Sequence, residues 1–264
     1  MRPPSRILAI AGSDSSGGAG IQADIKTITM LGGYAMTAIT SVTAQNTTGV
    51  QHVEALDAEL VDTQIDSCLS DIGADAIKIG MLGSPAIAEM VVANLESIAG
   101  AIVFDPVMVA TSGSALADEA TIAAFAKLMD RATLVTPNLP ELAALTGMSL
   151  QTGEQIYEAA ASLAARHDTA VLAKGGHGEK GRIIDRLVWP DGSVTSFEHA
   201  RIETRHTHGT GCTLSSAIAT LLGHGQPLEH AVRLAREFVL EAIRQAPGFG
   251  GGSGPLGHYA VTRR

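Results

Sequence analysis

The apolar positions of this chain follow two alternating periods. Short apolar runs at residues 6–11, 75–82, 101–106, 133–137 and 170–174 read as buried strands, and 34–42 is a further β-rich run. Between them the apolar positions recur at helical spacing. The first such stretch runs from a Gly/Ser loop to about Leu31, with Ile21, Ile25 and Ile28 as its packed stripe. Others cover 58–72, Pro85 to about Ile98, about Asp118 to Met129, a short helix ended by Gly147, 152–166 and 227–245. Cys68 belongs to the stripe of 58–72, which makes it a core thiol. Residues 182–189 and 192–197 flank Pro190-Asp191-Gly192 as a β-hairpin, and 44–49 reads as a polar turn or loop. Strand–helix alternation without an internal repeat or linker predicts one doubly wound α/β domain over 1–264, with 247–258 a Gly-rich flexible segment. In such sheets ligands bind beyond the carboxyl ends of the strands. The 12–20 loop, Met81, Asp105 and Lys174 all fall at such ends.

One stretch departs from the simple alternation. Residues 206–223 begin as His206-Thr207-His208-Gly209-Thr210-Gly211-Cys212 and continue as a helix with Leu214, Ile218 and Leu221 on one face. A Gly-rich turn feeding a helix aims backbone N–H groups and the positive helix end at one point, which suits an anion, most often a phosphate. Cys212 lies in the first helical turn, where the same field favours a thiolate.

Composition narrows the picture. Aromatics are only 3 % of the 264 residues, so the core must be built from Ala, Ile, Leu and Val, as in helices layered on a parallel sheet. The formal charge of −9, with no basic run, argues against a general nucleic-acid or anionic-membrane binder. Two cysteines, Cys68 and Cys212, suit thiols of a reducing compartment. With no apolar stretch near membrane-span length and no signal-peptide pattern, a cytoplasmic protein is expected.

Each candidate has a plain alternative. Asp105 suits a Mg²⁺ site or a turn before Pro106. Glu141 suits a metal-bound water or, with Asn138, a capping box. Lys174, followed by two glycines, is a point charge for a phosphate or a solvated lysine. Asp24 lies beside the packed stripe of its helix or on its surface, and Gln45 is a loop amide or the reader of a heterocycle edge. The loop at 12–20 lacks the G-x-G-x-x-G spacing, and no Walker pattern occurs. His206, His208 and Cys212 invite a metal reading that lacks a fourth ligand at zinc-like spacing. Cys212 with His208 as base would make a thiol hydrolase, and Cys212 as a small packing residue is the plainest alternative.

Taken together, residues 12–24, Asp105-Pro106-Val107-Met108, Thr136-Pro137-Asn138-Leu139-Pro140-Glu141, Lys174-Gly175-Gly176-His177 and 208–215 appear in an order that resembles the hydroxymethylpyrimidine/phosphomethylpyrimidine kinases of the ribokinase-like superfamily. The resemblance implies a three-layer α/β/α fold with a mostly parallel sheet and usually a homodimer. It further implies ATP- and Mg²⁺-dependent phosphorylation of 4-amino-5-hydroxymethyl-2-methylpyrimidine, then of its monophosphate. Carried over by position, Gln45, Asp24 and Gly12 would contact the pyrimidine, with Met81 and Val107 walling the ring. Gly209, Thr210, Gly211 and Cys212 would form the anion hole, Cys212 standing where most of the superfamily has an aspartate base. Asp105 and Glu141 would order Mg²⁺, while Lys174, Asn138 and His208 would face ATP. Pyridoxal kinases of the same fold are not wholly separated by this pattern, and a non-catalytic pyrimidine-binding protein is a further alternative.

Overall fold

The structure is a computed structural model that describes residues 3–96, 98–109, 116–177 and 181–261. The predicted Thr111-Ser112-Gly113-Ser114 loop stretch and Gly178 lie outside the described residues. The strands are β1 (Arg6–Asp14), β2 (Tyr34–Asn46), β3 (Gly49–Ala55), β4 (Ala76–Ile79), β5 (Ala101–Phe104), β6 (Leu134–Val135), β7 (Ala170–His177), β8 (Arg182–Val188) and β9 (Val194–Ala200). The helices are α1 (Gly20–Met30), α2 (Ala58–Asp71), α3 (Pro85–Leu95), α4 (Glu119–Met129), α5 (Leu139–Thr146), α6 (Gly153–His167), α7 (Thr210–Gly223) and α8 (Leu228–Arg244).

All nine strands form one sheet in the order β3-β2-β1-β4-β5-β6-β7-β8-β9. The run from β2 to β7 is parallel, and β3, β8 and β9 are antiparallel. Side chains alternate across it. Leu8, Ile10, Ile77, Ile79, Ile102 and Phe104 point into a core roofed by α2 to α6. Ile7, Ala9, Ala76, Val103 and Leu172 point the other way, under α1, α7 and α8. The result is the expected three-layer α/β/α sandwich. Phe104 and Phe125 meet edge-to-face at 5.1 Å, one of few aromatic contacts in a core of aliphatic side chains.

Three expectations need correction. Residues 44–49 are not a loop throughout: β2 runs on to Asn46, and after a turn at 47–48 an antiparallel hairpin partner, β3, folds back on it. Ile25 is 40 % exposed, because α1 turns Ile21, Asp24 and Ile28 inward and leaves position 25 on the outer side. The 247–258 segment is packed against the rest of the chain. The Gly252 N–H donates to Thr47 Oγ1 at 3.3 Å, Gly254 O accepts from His208 N at 3.1 Å, and the Gly257 N–H donates to Ala242 O at 2.8 Å. Its glycines serve close approach. A Cβ on Gly252 would lie 2.0 Å from Thr47 O, and one on Gly257 would lie 2.0 Å from Gln245 O.

Candidate active site

The carboxyl ends of the parallel strands open into two adjoining cavities, of about 220 and 410 Å³. The first is lined by Gly12, Gln45, Met81, Val107, Asp105 and Glu141, among others. The second lies between β8, β9 and α8, with Ile183, His199, Leu240 and Ile243 on its walls. Asn138, Lys174, Thr207, Thr210 and Gly211 line both. The N-terminus of α7 therefore stands at the junction of the two cavities.

That helix starts without a side-chain cap. Its N-cap is Gly209, at φ 83°, and a Cβ there would lie 1.9 Å from Gly18 O. Only glycine allows both the left-handed backbone and this contact with the 12–20 loop. The loop itself is gathered by Asp14, a residue that sequence reasoning passes over. Its carboxylate accepts from the backbone N–H groups of Ser16, Gly18 and Ala19, from Ser16 Oγ, and from His208 Nε2 at 2.8 Å. Burial alone would raise the Asp14 pKa, but the His208, Ser16 and Ala19 bonds outweigh it and hold the acid far below its ordinary value. The signal in the sequence was Asp14-Ser15-Ser16-Gly17, an aspartate opening a turn whose amides it can accept.

Two charged pairs lie beneath the junction. Asp105, at the end of β5, accepts from Lys174 Nζ and from Thr136 Oγ1, each at 2.8 Å. Burial opposes its charge, but Lys174 and Lys78 hold the Asp105 pKa below its ordinary value. Gly211 packs directly over this pair: a Cβ would lie 3.2 Å from Asp105 Oδ2 and 3.4 Å from Lys174 Nζ. The second pair joins Asp24 on α1 to Lys78 on β4 at 2.9 Å, with Ser216 of α7 donating to Asp24 at 2.7 Å. Both charged side chains are completely buried. Burial disfavours the Lys78 ammonium, yet the carboxylates Asp24 and Asp105 hold it protonated.

Asp24 is thus a correction. It is expected to contact substrate, but it lies under α7, outside both cavities, with its oxygens taken by Lys78 and Ser216. Lys78 was missed, although a lysine inside the apolar run Ala76-Ile77-Lys78-Ile79 signals a buried partner.

His208, expected to face ATP, packs against the 12–20 loop. It lines the first cavity, not the second, with Nε2 on Asp14 and 3.1 Å from the Gln45 amide nitrogen. With Nε2 donating to Asp14, the histidine anchors the 12–20 loop beside Gln45.

At Cys212 the expected thiolate is what needs correction. Burial, then the carboxylates Asp24 and Asp105, push its thiol up to about 11, against the pull of Lys78 and the Gly20 N–H. It is a thiol at neutral pH, and His208 is turned to Asp14, so a Cys–His nucleophile is not assembled.

Glu141 and Asn138 do form the capping box: the Glu141 N–H donates to Asn138 Oδ1 at 2.9 Å and the Asn138 N–H to Glu141 Oε2 at 2.7 Å. Glu141 also lines the first cavity. Burial first, and Asp105 after it, raise its pKa to about 7 against the pull of Lys174. Among the described residues, no group of three or more His, Cys, Asp or Glu side chains is arranged to hold a metal, which leaves the His206/His208/Cys212 zinc reading without support. Two hard carboxylates on one cavity do suit Mg²⁺, which keeps several waters and takes one or two carboxylates beside substrate phosphates.

The phosphomethylpyrimidine kinase family model matches residues 14–257. The chain belongs to this family. It is 40 % identical over 268 residues to the hydroxymethylpyrimidine/phosphomethylpyrimidine kinase of Haemophilus influenzae, covering 100 % of both chains. It is 43 % identical over 263 residues to the thiamine biosynthesis multifunctional protein ThiED of Corynebacterium efficiens, covering 98 % of this chain and 36 % of that protein. The chain thus spans a third to about half of such multifunctional and bifunctional relatives, between 34 % and 53 %. Among solved structures, an ADP complex of Bacillus subtilis pyridoxal kinase superposes with a TM-score of 0.89 at 34 % identity, covering 97 % of this chain and 98 % of that one. The ribokinase-like fold of this family is the one observed here.

Proposed function

We propose that this chain transfers a phosphoryl group from ATP to the hydroxymethyl group of 4-amino-5-hydroxymethyl-2-methylpyrimidine, and then phosphorylates the resulting monophosphate, for thiamine diphosphate synthesis. The observation that carries this is the meeting of two cavities at one uncapped helix N-terminus, with Lys174 and Gly211 on the walls of both. A phosphoryl group passing between an acceptor and a nucleotide needs that arrangement, because its transfer depends chiefly on positioning and on preorganised charge stabilisation.

The smaller cavity takes the pyrimidine. Gln45 offers an amide to its amino and ring-nitrogen edge, Met81 and Val107 flank the ring, and Gly12 brings its backbone to the cavity wall. The larger cavity takes the nucleotide, with Asn138 and Lys174 toward the phosphates. Gly209, Thr210, Gly211 and Cys212 form the anion hole. Asp105 and Glu141 are the residues that would hold Mg²⁺, which when bound neutralises phosphate charge. Cys212 rests as a thiol, and only its thiolate fraction, which grows as pH rises toward 11, accepts the alcohol proton late in the transfer, where a loose transition state asks little of a base. The protein works as a homodimer in the cytoplasm; sedimentation equilibrium tests the first statement. No described helix is long and apolar enough to cross a membrane.

A pyridoxal kinase is the second reading, favoured by the fit to the Bacillus subtilis structure. ADP release from Mg·ATP, measured in parallel with the pyrimidine alcohol, its monophosphate and pyridoxal, separates the two. Turnover of both pyrimidines with pyridoxal weak is expected. Turnover of pyridoxal alone would overturn the substrate assignment.

A further inference from the structure

On the wall of the larger cavity, a polar network of residues given no role above runs from α8 to the lysine at the cavity junction. The pairing of β7 with β8 breaks register between Ala173 and Gly176, and Gly175 within the break has φ 80°. Such a bulge takes a backbone N–H out of the ladder and re-aims the neighbouring side chain, here Lys174. The Gly175 N–H is taken up by Asp185 of β8, whose Oδ1 accepts it at 2.8 Å. The other carboxylate oxygen of Asp185 accepts from Arg236 Nε of α8 at 2.7 Å. Arg236 is held in turn from β9. Its Nη2 donates to Phe197 O at 3.2 Å and to His199 Nδ1 at 2.7 Å, and its guanidinium lies 5.2 Å from the Phe197 ring centroid.

Asp185 and Arg236 are 7 % and 8 % exposed. A buried ion pair adds little net stability compared with apolar residues of the same size. Stability alone is therefore a poor reason for this one, whereas its geometry leads directly to the lysine that bonds Asp105.

We propose that Asp185, oriented by Arg236, is a positioning residue for phosphoryl transfer: by accepting the Gly175 N–H it fixes the bulge that sets the reach of Lys174 into the junction of the two cavities. The inference rests on the kinase function proposed above, with the nucleotide in the larger cavity. Asp185 acts through the backbone, so its charge is dispensable once Arg236 is neutralised, but its acceptor oxygen is not.

Two double variants differ in whether residue 185 carries an acceptor for the Gly175 N–H. Asp185→Asn/Arg236→Met keeps an acceptor for Gly175, and Asp185→Ala/Arg236→Met removes it; neither leaves a buried charge unpaired. Thermal unfolding first confirms that both fold. In steady-state kinetics the Asn double variant is expected within about threefold of the parent kcat, and the Ala double variant roughly 10- to 100-fold lower, with KM for the alcohol unchanged in both. Calorimetry with Mg·ADP reads the same difference without turnover, as weaker binding to the Ala variant only. Equal kcat and equal ADP affinity in the two variants would overturn the proposal. Should the parent turn over none of the alcohols yet bind ADP, the kinase function fails, and the calorimetric difference still decides for or against the role of Asp185. A parent that neither turns over nor binds ADP overturns both.

Discussion

At Cys212 two fields compete. The N-terminus of α7 favours a thiolate, while burial and the carboxylates Asp24 and Asp105 favour the thiol, and the second set prevails with a pKa of about 11. The thiolate fraction therefore grows with pH across the neutral and alkaline range. In a Cys68→Ala background, iodoacetamide alkylation of the free protein should rise with a midpoint well above the ordinary thiol value of about 8.5. A midpoint at or below that value would show that the helix field prevails. Cys212→Ala should lower kcat/KM by at least about tenfold, some 1.4 kcal/mol, and flatten its alkaline rise; a smaller loss would leave catalysis to the anion hole alone. At this scale the sequence located residues better than their states. Asp105 and Glu141 were legible because one follows a strand and the other opens a helix, and Lys174 because two glycines follow it, although β7 runs on through them to His177. The partners of Asp24, Asp185 and Arg236 were not, because each pair joins elements distant in sequence: Asp24 meets Lys78, and Asp185 meets Arg236, only after α1 and α8 dock on the sheet.

Elements show where glycine is required. Gly209 combines φ 83° with a backbone contact to Gly18, whereas Gly225, at φ 82°, has nothing within 4 Å of a would-be Cβ. Gly225→Ala should cost only the left-handed strain, about 1–2 kcal/mol. Gly209→Ala should cost more and also reduce turnover, since the loop held by Asp14 and the anion hole must move apart. Urea unfolding and steady-state rates of the two variants check this; equal losses would mean that Gly209 matters only for its dihedral. Most helices and strands were legible from apolar period and caps, as with Asn138 and Glu141 at α5. β3 was not, because Gly49–Ala55 forms the sheet edge and five of its residues, Gln51 to Ala55, are exposed, leaving no apolar run to read. The 247–258 segment misled for a similar reason: its glycines resemble a flexible tail in composition, but they serve close packing on Thr47 and Gln245.

For the molecule as a whole, the sheet brings the carboxyl ends of its six parallel strands together beneath α7, and the C-terminal segment ties that side to α8. His258 reports on this closure. It lies 3 % exposed with a 2.8 Å hydrogen bond to Thr213, and burial first, then the Lys26 charge, pushes its pKa down from 6.5 to about 4. Its folded value lies below the unfolded one, so the neutral ring's contribution is complete above about pH 6.5 and is lost as pH falls toward 4, a change of about 3 kcal/mol. His258→Gln should therefore lose less stability than the parent between pH 7 and 4.5 in urea titrations, and parallel losses would contradict the assignment. The central claim concerns chemistry at the junction of the cavities, and phosphorus NMR of a reaction with Mg·ATP and 4-amino-5-hydroxymethyl-2-methylpyrimidine tests it most directly. A phosphomonoester that forms and then converts to a diphosphate is the expected result. A monoester that persists as the end product, or no transfer to the pyrimidine at all, would contradict it.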